Sequence, residues 1–209
     1  MSKSLLEQLR EMTIVVADTG DIQPFDPCIQ EFSTVLKDHF NADRFDFLIN
    51  NAGIGHYALF ANNTEEAFDR IMNINLKGVF FLTQKLLPLI NDGGRIINLS
   101  SGLARFTIPG NSVYAAMKGA IETLTRYLAV ELGPRRIAVN TLAPGAIETD
   151  FNGGAVRDNP QYNKMVADST ALGRVGLPDD IGGVAAFLCT DEARWINAQR
   201  LEVSGGQKI

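Results

Sequence analysis

Tyr114 and Lys118 stand four residues apart in the segment Ser112 to Leu132, where Tyr114, Met117, Ile121, Leu124 and Leu128 recur at helical spacing. That separation is about one helical turn, so both side chains leave the same face. A phenol titrates near about 10, and a neighbouring cation favours its phenolate, so the pair can serve as a proton donor and acceptor. Ser101 lies thirteen residues earlier, just past a strand candidate, where a hydroxyl can bond a substrate carbonyl or alcohol beside the tyrosine. Tyr and Lys at this spacing also occur in many helices with no chemistry, so the surrounding elements decide what the pair means.

Strand candidates are Thr13 to Ala17, Phe45 to Ile49, Arg95 to Leu99, Ile137 to Leu142 and Gln199 to Val203. Between them lie helical stretches. Leu5, Leu6 and Leu9 share one face, and Asp26-Pro27 opens a helix that ends near Asn41. Thr64 caps a helix continuing to Ile90, with the poor helix formers Asn75 and Gly78 near its middle, beside Lys77, predicting a local irregularity. Gly133-Pro134 stops the Ser112 helix, and Pro178-Asp179-Asp180 starts another that runs to about Cys189. Asn91 to Gly94 reads as a turn. Ala143 to Val175 reads as a long mobile segment with one short helix near Gln161 to Ala167. Strands alternating with helices predict a parallel α/β sheet, and 209 residues with 45% hydrophobic content suit a single domain, 1 to 209.

The net charge of −5, with no Lys/Arg cluster, argues against nucleic acid or an anionic membrane as partner. Cys28 and Cys189 are far apart, with neither a C-x-x-C nor a histidine pair nearby, so no metal site and no disulfide framework is expected. Glu7 and Arg10 interrupt the first leucines, and no long uncharged apolar run follows, so a cytoplasmic location is expected by default.

Three further motifs accompany the tyrosine and lysine: Asn-Asn-Ala-Gly at Asn50 to Gly53, Asn-Ile-Asn-Leu-Lys-Gly at Asn73 to Gly78, and Val-Asn-Thr-Leu-Ala-Pro-Gly at Val139 to Gly145. In this order they resemble the short-chain dehydrogenase/reductase family over nearly the whole chain, Asp18 to Gly206. The resemblance implies a Rossmann-like, doubly wound parallel sheet and hydride transfer between NAD or NADP and a carbonyl or alcohol; a 3-oxoacyl-thioester reductase-like role is the reading taken, and the motif style and compact tail resemble the sugar or steroid dehydrogenases about equally. By it Tyr114 is the acid/base, Ser101 positions substrate, Lys118 tunes Tyr114 and binds the nicotinamide ribose, and Asn75 holds a relay water. Asp18, Asn50, Ala52 and Gly53 match positions near the adenine and its ribose; Pro144, Gly145, Ile147 and Thr149 match those around the nicotinamide. The segment after Thr149 resembles the family's substrate loop, with Phe151, Val156, Tyr162, Met165 and Leu172 as its apolar side. Leu103, Phe106 and His56 are candidates for the mouth. A small-molecule substrate and a homo-oligomer, dimer or tetramer, are implied.

Family members open with a strand and a T-G-x-x-x-G-x-G turn that this sequence does not contain; Thr19-Gly20 is followed by Asp-Ile-Gln-Pro. By the resemblance roughly 55 residues, two strands and two helices, are truncated from the N-terminus. The first missing strand would lie beside the one ending at Asn50. Strand Thr13 to Ala17 is therefore expected either to move into that place or to be poorly held. A cofactor-free remnant acting as an interaction module, or an inactive pseudoenzyme, is the competing reading. Sugar-nucleotide epimerases share Y-x-x-x-K but carry a larger C-terminal domain, and a hydrolase built on Ser101 lacks a G-x-S-x-G elbow.

Overall fold

A computed structural model describes residues 14–17 and 25–209. The expected opening helix at Leu5 to Leu9, Asp18 and Thr19-Gly20 all lie outside the described residues. The described elements are β1 (Ile14–Ala17), α1 (Phe25–Phe40), β2 (Phe45–Asn50), α2 (Glu65–Met72), a π-helical turn (Asn73–Gly78), α3 (Val79–Leu86), β3 (Ile90–Leu99), α4 (Ser112–Glu131), β4 (Ala138–Pro144), α5 (Phe151–Asp158), α6 (Pro160–Asp168), α7 (Pro178–Leu188) and β5 (Arg200–Val203). The five strands form one parallel sheet in the order β1-β2-β3-β4-β5. This is the parallel α/β sheet that the alternation of elements predicts, and helices cover both its faces, as the doubly wound class implied by the resemblance requires.

Each face of the sheet buries its own core. Leu48, Ile96 and Val139 point to one side, against Leu36 of α1, Leu82 and Leu86 of α3, and Ala129 of α4. Ile97 and Leu142, with Phe47, point to the other, against Leu188 and Cys189. Strands buried on both faces need near-continuous apolar runs, and Phe45 to Ile49 and Arg95 to Leu99 supply them. Strand β1 pairs in parallel with β2, Ile14 opposite Phe47 through Ala17 opposite Asn50, so the segment takes the place beside the Asn50 strand.

At the carboxyl ends of the strands the apolar column facing α3 and α4 gives way to a polar one. Asn50, Asn98 and Thr141 are register partners on β2, β3 and β4. Asn50 Nδ2 donates to Asn98 Oδ1 at 2.8 Å and to Thr83 Oγ1 of α3 at 2.9 Å; Asn98 Nδ2 donates to Thr125 Oγ1 of α4 at 2.9 Å, and Thr141 Oγ1 bonds Thr125 Oγ1 at 2.9 Å. Any slip of α3 or α4 along the sheet would strand these buried groups at about 1–3 kcal/mol each, so the network fixes both helices against the strand ends.

Two local expectations change. Asn91 to Gly94 is not a turn ahead of β3; it forms an irregularity within it, with Phe45 opposite Ile90 and Phe47 opposite Arg95. Gly93 takes φ +84°, and a Cβ on Gly94 would stand 2.5 Å from the Asp46 carbonyl oxygen, so the turn chemistry is used without breaking the strand. The segment from Ala143 to Val175 carries two helices, not one. Asn159 caps α6 by accepting from the amides of Gln161 and Tyr162, and α5 contains the left-handed residues Asn152, Gly153 and Gly154.

Candidate active site

The irregularity expected between Thr64 and Ile90 is the π-helical turn, and Asn75 sits inside it, fully buried. Its Nδ2 donates to the Ile71 carbonyl at 3.1 Å, one turn back, and to the Ile54 carbonyl at 3.0 Å in the loop after β2. The side chain thus satisfies backbone acceptors that the widened turn and the loop leave open. Its Oδ1 is buried and has no partner among the described residues. A Cβ placed on Gly53 would stand 2.9 Å from that oxygen and 3.3 Å from Lys118 Nζ. Only a residue without a side chain leaves this space open, and the two polar atoms face it from opposite elements.

Tyr114 and Lys118, both buried, rise from the first turns of α4 on one face, as their spacing predicts. Lys118 Nζ lies 5.6 Å from the centre of the Tyr114 ring and donates to the Leu99 carbonyl at 2.9 Å, at the end of β3. Ser101 follows two residues later and shares a hydrogen bond with the Tyr114 hydroxyl; its Oγ also accepts from the Leu103 amide at 3.2 Å. Tyr114, Lys118 and Ser101 therefore meet, and Asn75 adjoins them across Gly53.

The electrostatics depart from the sequence expectation. Burial pushes the Tyr114 phenol up to about 12, and the Ser101 hydrogen bond pulls only part of the way back. Burial likewise draws the Lys118 ammonium down to about 8. The expectation that the lysine charge lowers the phenol is corrected: in a dry site the cost of an unsolvated phenolate outweighs a cation whose Nζ sits over the ring and is engaged by a carbonyl. At neutral pH Tyr114 keeps its proton and Lys118 is a cation.

Of the other candidates, Ala52 is buried, while Gly53, Pro144, Gly145, Ile147 and Thr149 are partly accessible around the strand ends. The Gly145 amide donates to the Val203 carbonyl, and Ile147 forms a bridge with Gly176, so the loop after β4 is pinned to the end of β5 and to the stretch before α7. Asn50 is buried and both amide N–H groups are spent on Thr83 and Asn98, while its Oδ1 is buried without a partner among the described residues. The substrate-loop candidate Phe151 packs on Tyr114 with ring centres 6.1 Å apart, and Asn152 reaches Gly55 across the mouth. Tyr162, Met165 and Leu172 are exposed. His56 bonds Asn63 within its own loop.

Sequence reasoning missed Ser100, Glu122 and Arg200. Ser100 Oγ donates to Glu122 Oε1 at 2.7 Å, and Arg200 Nε donates to the same oxygen at 2.6 Å. Glu122 stands four residues after Lys118 on the same helix, a signal that was available; Arg200 is 78 residues from Glu122, and no local pattern announces it.

Gly53→Ala tests the shared space. The methyl group is expected to push Asn75 or Lys118 off position and to cost about 10²-fold in turnover with little change in melting temperature; unchanged turnover would mean that the space has no part in the reaction.

A family model described as Enoyl-(Acyl carrier protein) reductase matches residues 3–208. An uncharacterized oxidoreductase of Methylorubrum extorquens is 39% identical over 163 residues, 78% of this chain and 66% of that protein. Versicolorin reductase 1 of Dothistroma septosporum is 33% identical over 202 residues, covering 92% and 74%. Among solved structures, the angucycline C-6 ketoreductase LanV with bound NADP superposes with a TM-score of 0.82 at 36% identity, over 88% of this chain and 72% of that one. No helix among the described residues is long and apolar enough to cross a membrane. The matches run along nearly all of the sequence that builds the sheet and brings the tyrosine, lysine, serine and asparagine together, and the chain belongs to the short-chain dehydrogenase/reductase family.

Proposed function

We propose that this chain reduces a ketone carried on a flat, fused-ring substrate, using NADPH. One observation carries the proposal: a buried phenol, protonated at neutral pH, is hydrogen-bonded to Ser101 at the carboxyl end of a parallel sheet, where such sheets hold their ligands. Ser101 and Tyr114 both present hydroxyls to one carbonyl oxygen; Tyr114 gives up its proton as negative charge develops there. The open space at Gly53, the unpartnered Asn75 Oδ1 and the remaining N–H donors of Lys118 fit the nicotinamide end of the cofactor. Tyr114, Lys118, Asn50, Ala52 and Gly53, and Pro144, Gly145, Ile147 and Thr149 from the loop after β4, would hold it. When bound, that group supplies the hydride. Lys118 and Asn75 carry the replacement proton toward Tyr114 from solvent. Phe151 covers the phenol and excludes water from it.

Two features support the flat aromatic substrate. Phe151 offers a ring beside Tyr114, and a mainly apolar groove of about 400 Å³, within the range of small-molecule sites, is lined by Leu59, Phe60, Leu103, Ile108, Pro109 and Ala115 together with the polar Thr107, Asn111 and Ser112; Ala115 follows Tyr114 on α4. LanV is named as an angucycline C-6 ketoreductase and the Dothistroma relative as a versicolorin reductase. A 3-oxoacyl thioester is the second class; the description of the matching family names an acyl-carrier-protein thioester too, but an enoyl and not a 3-oxo one. Purified protein assayed with NADPH, then NADH, against phenanthrenequinone and acetoacetyl thioester decides between them. The fused-ring ketone is expected to win in kcat/KM by about tenfold or more. Preference for the thioester moves the assignment to that class; neither turnover nor nucleotide binding under any condition sinks the enzyme reading and leaves the cofactor-free remnant.

A further inference from the structure

We propose that Arg200, braced by Glu122, is a positioning residue that holds Ser101 and the end of β3 in working register with Tyr114 and Lys118; the proposal rests on the reductase reading above. Three consecutive residues at the end of β3 are each gripped by a different group. The Leu99 carbonyl accepts from Lys118 Nζ, the Ser100 hydroxyl donates to Glu122 Oε1, and the Ser101 carbonyl accepts from Arg200 Nη2 at 3.2 Å. Ser100 Oγ also reaches the Lys118 carbonyl at 3.3 Å, so the same contacts hold the helix turn that carries the lysine.

Arg200 suits the task because a guanidinium is a rigid planar fork with several donors. Nε meets Glu122, Nη1 meets Glu202 Oε2 at 2.8 Å and Nη2 meets the Ser101 backbone, so all three directions are used. Glu202 is fixed in turn by a bidentate pair with Arg105, at 2.8 and 2.6 Å, and Arg105 donates onward to the Gln207 and Lys208 carbonyls. The network is only partly exposed, with side chains 24% (Arg200), 15% (Glu122) and 17% (Glu202) accessible, so solvent screens it less than it would a surface pair. It ties β5 and the tail to the loop whose hydroxyl bonds Tyr114, and it touches neither the phenol nor the lysine ammonium.

The test compares Arg200→Met, Glu122→Leu and Glu122→Gln in the full chain. Arg200→Met and Glu122→Leu are expected to lower kcat for phenanthrenequinone by about 10–100-fold with KM and melting temperature nearly unchanged. Glu122→Gln keeps an acceptor for both Ser100 and Arg200 and is expected to retain most of kcat. A second readout needs no turnover: with isotope-labelled tyrosine, the Tyr114 Cζ resonance is expected to move in Arg200→Met in the direction that Ser101→Ala moves it. An unmoved resonance overturns the proposal even if the wild type proves inactive. So does wild-type kcat in Arg200→Met, or loss of melting temperature with Glu122→Gln as impaired as Glu122→Leu. Should Arg200→Met fail to fold, the two Glu122 variants decide by the same criteria.

Discussion

Replacing Tyr114 by Phe is expected to lower kcat for ketone reduction by about 10²–10⁴-fold while the melting temperature stays close to that of the parent protein. The substitution removes one oxygen and nothing else. The ring keeps its packing on Phe151 and beneath Lys118, and among the described residues the interaction lost is the hydrogen bond with the partly accessible Ser101, worth about 1 kcal/mol. The raised phenol sets a direction as well. A group held near 12 keeps its proton until charge appears on the substrate oxygen, which suits reduction, whereas oxidation of an alcohol requires the phenolate that burial opposes. Alcohol oxidation by the wild type is therefore expected to climb as pH rises above neutral. Steady-state rates in both directions across pH check this; turnover within a few-fold of wild type in Tyr114→Phe would remove the tyrosine from the mechanism.

The parts of the site that the sequence discloses are those whose geometry is local. Tyr114 and Lys118 share a face because a helix repeats every 3.6 residues or so, and Asn75 marks an irregularity because Asn and Gly weaken a helix wherever it lies. Motif order brings Ser101 and Gly53 within the same reading, since both follow strand ends of a parallel sheet. What stays hidden is set by tertiary distance. Nothing near Asn50 in sequence says that both its amide protons will be spent on Thr83 and Asn98, and nothing near Arg200 points to Glu122 or Ser101. The sign of the tyrosine shift is hidden for the same reason: proximity to lysine is readable from spacing, but desolvation depends on everything packed around the pair. The second helix between Ala143 and Val175 was masked by Gly153-Gly154, which read as loop chemistry and in fact supply left-handed turns inside α5.

Lys118→Met is expected to abolish most activity and yet to leave the protein as stable as the wild type, or more so, near neutral pH. The reasoning turns on the ammonium group. Burial moves it from 10.5 to about 8, so holding it charged in the folded state costs about 3 kcal/mol. Methionine fills the same channel without that cost, and the Leu99 carbonyl it leaves unpaired takes back about 1–3 kcal/mol. The net change is between zero and a modest gain. Between about 8 and 10.5 the unfolded wild type binds a proton that the folded form has released, so wild-type stability rises with pH in that window relative to the variant. Tyr114, present in both proteins, loses its own contribution to stability above its unfolded value near 10, and it cancels in the comparison. Denaturant unfolding of both proteins at neutral and alkaline pH reads the difference directly. A variant markedly weaker than wild type at neutral pH, or a gap that does not shift toward the wild type as pH climbs, would show that the lysine is retained for the fold and not for the chemistry beside it.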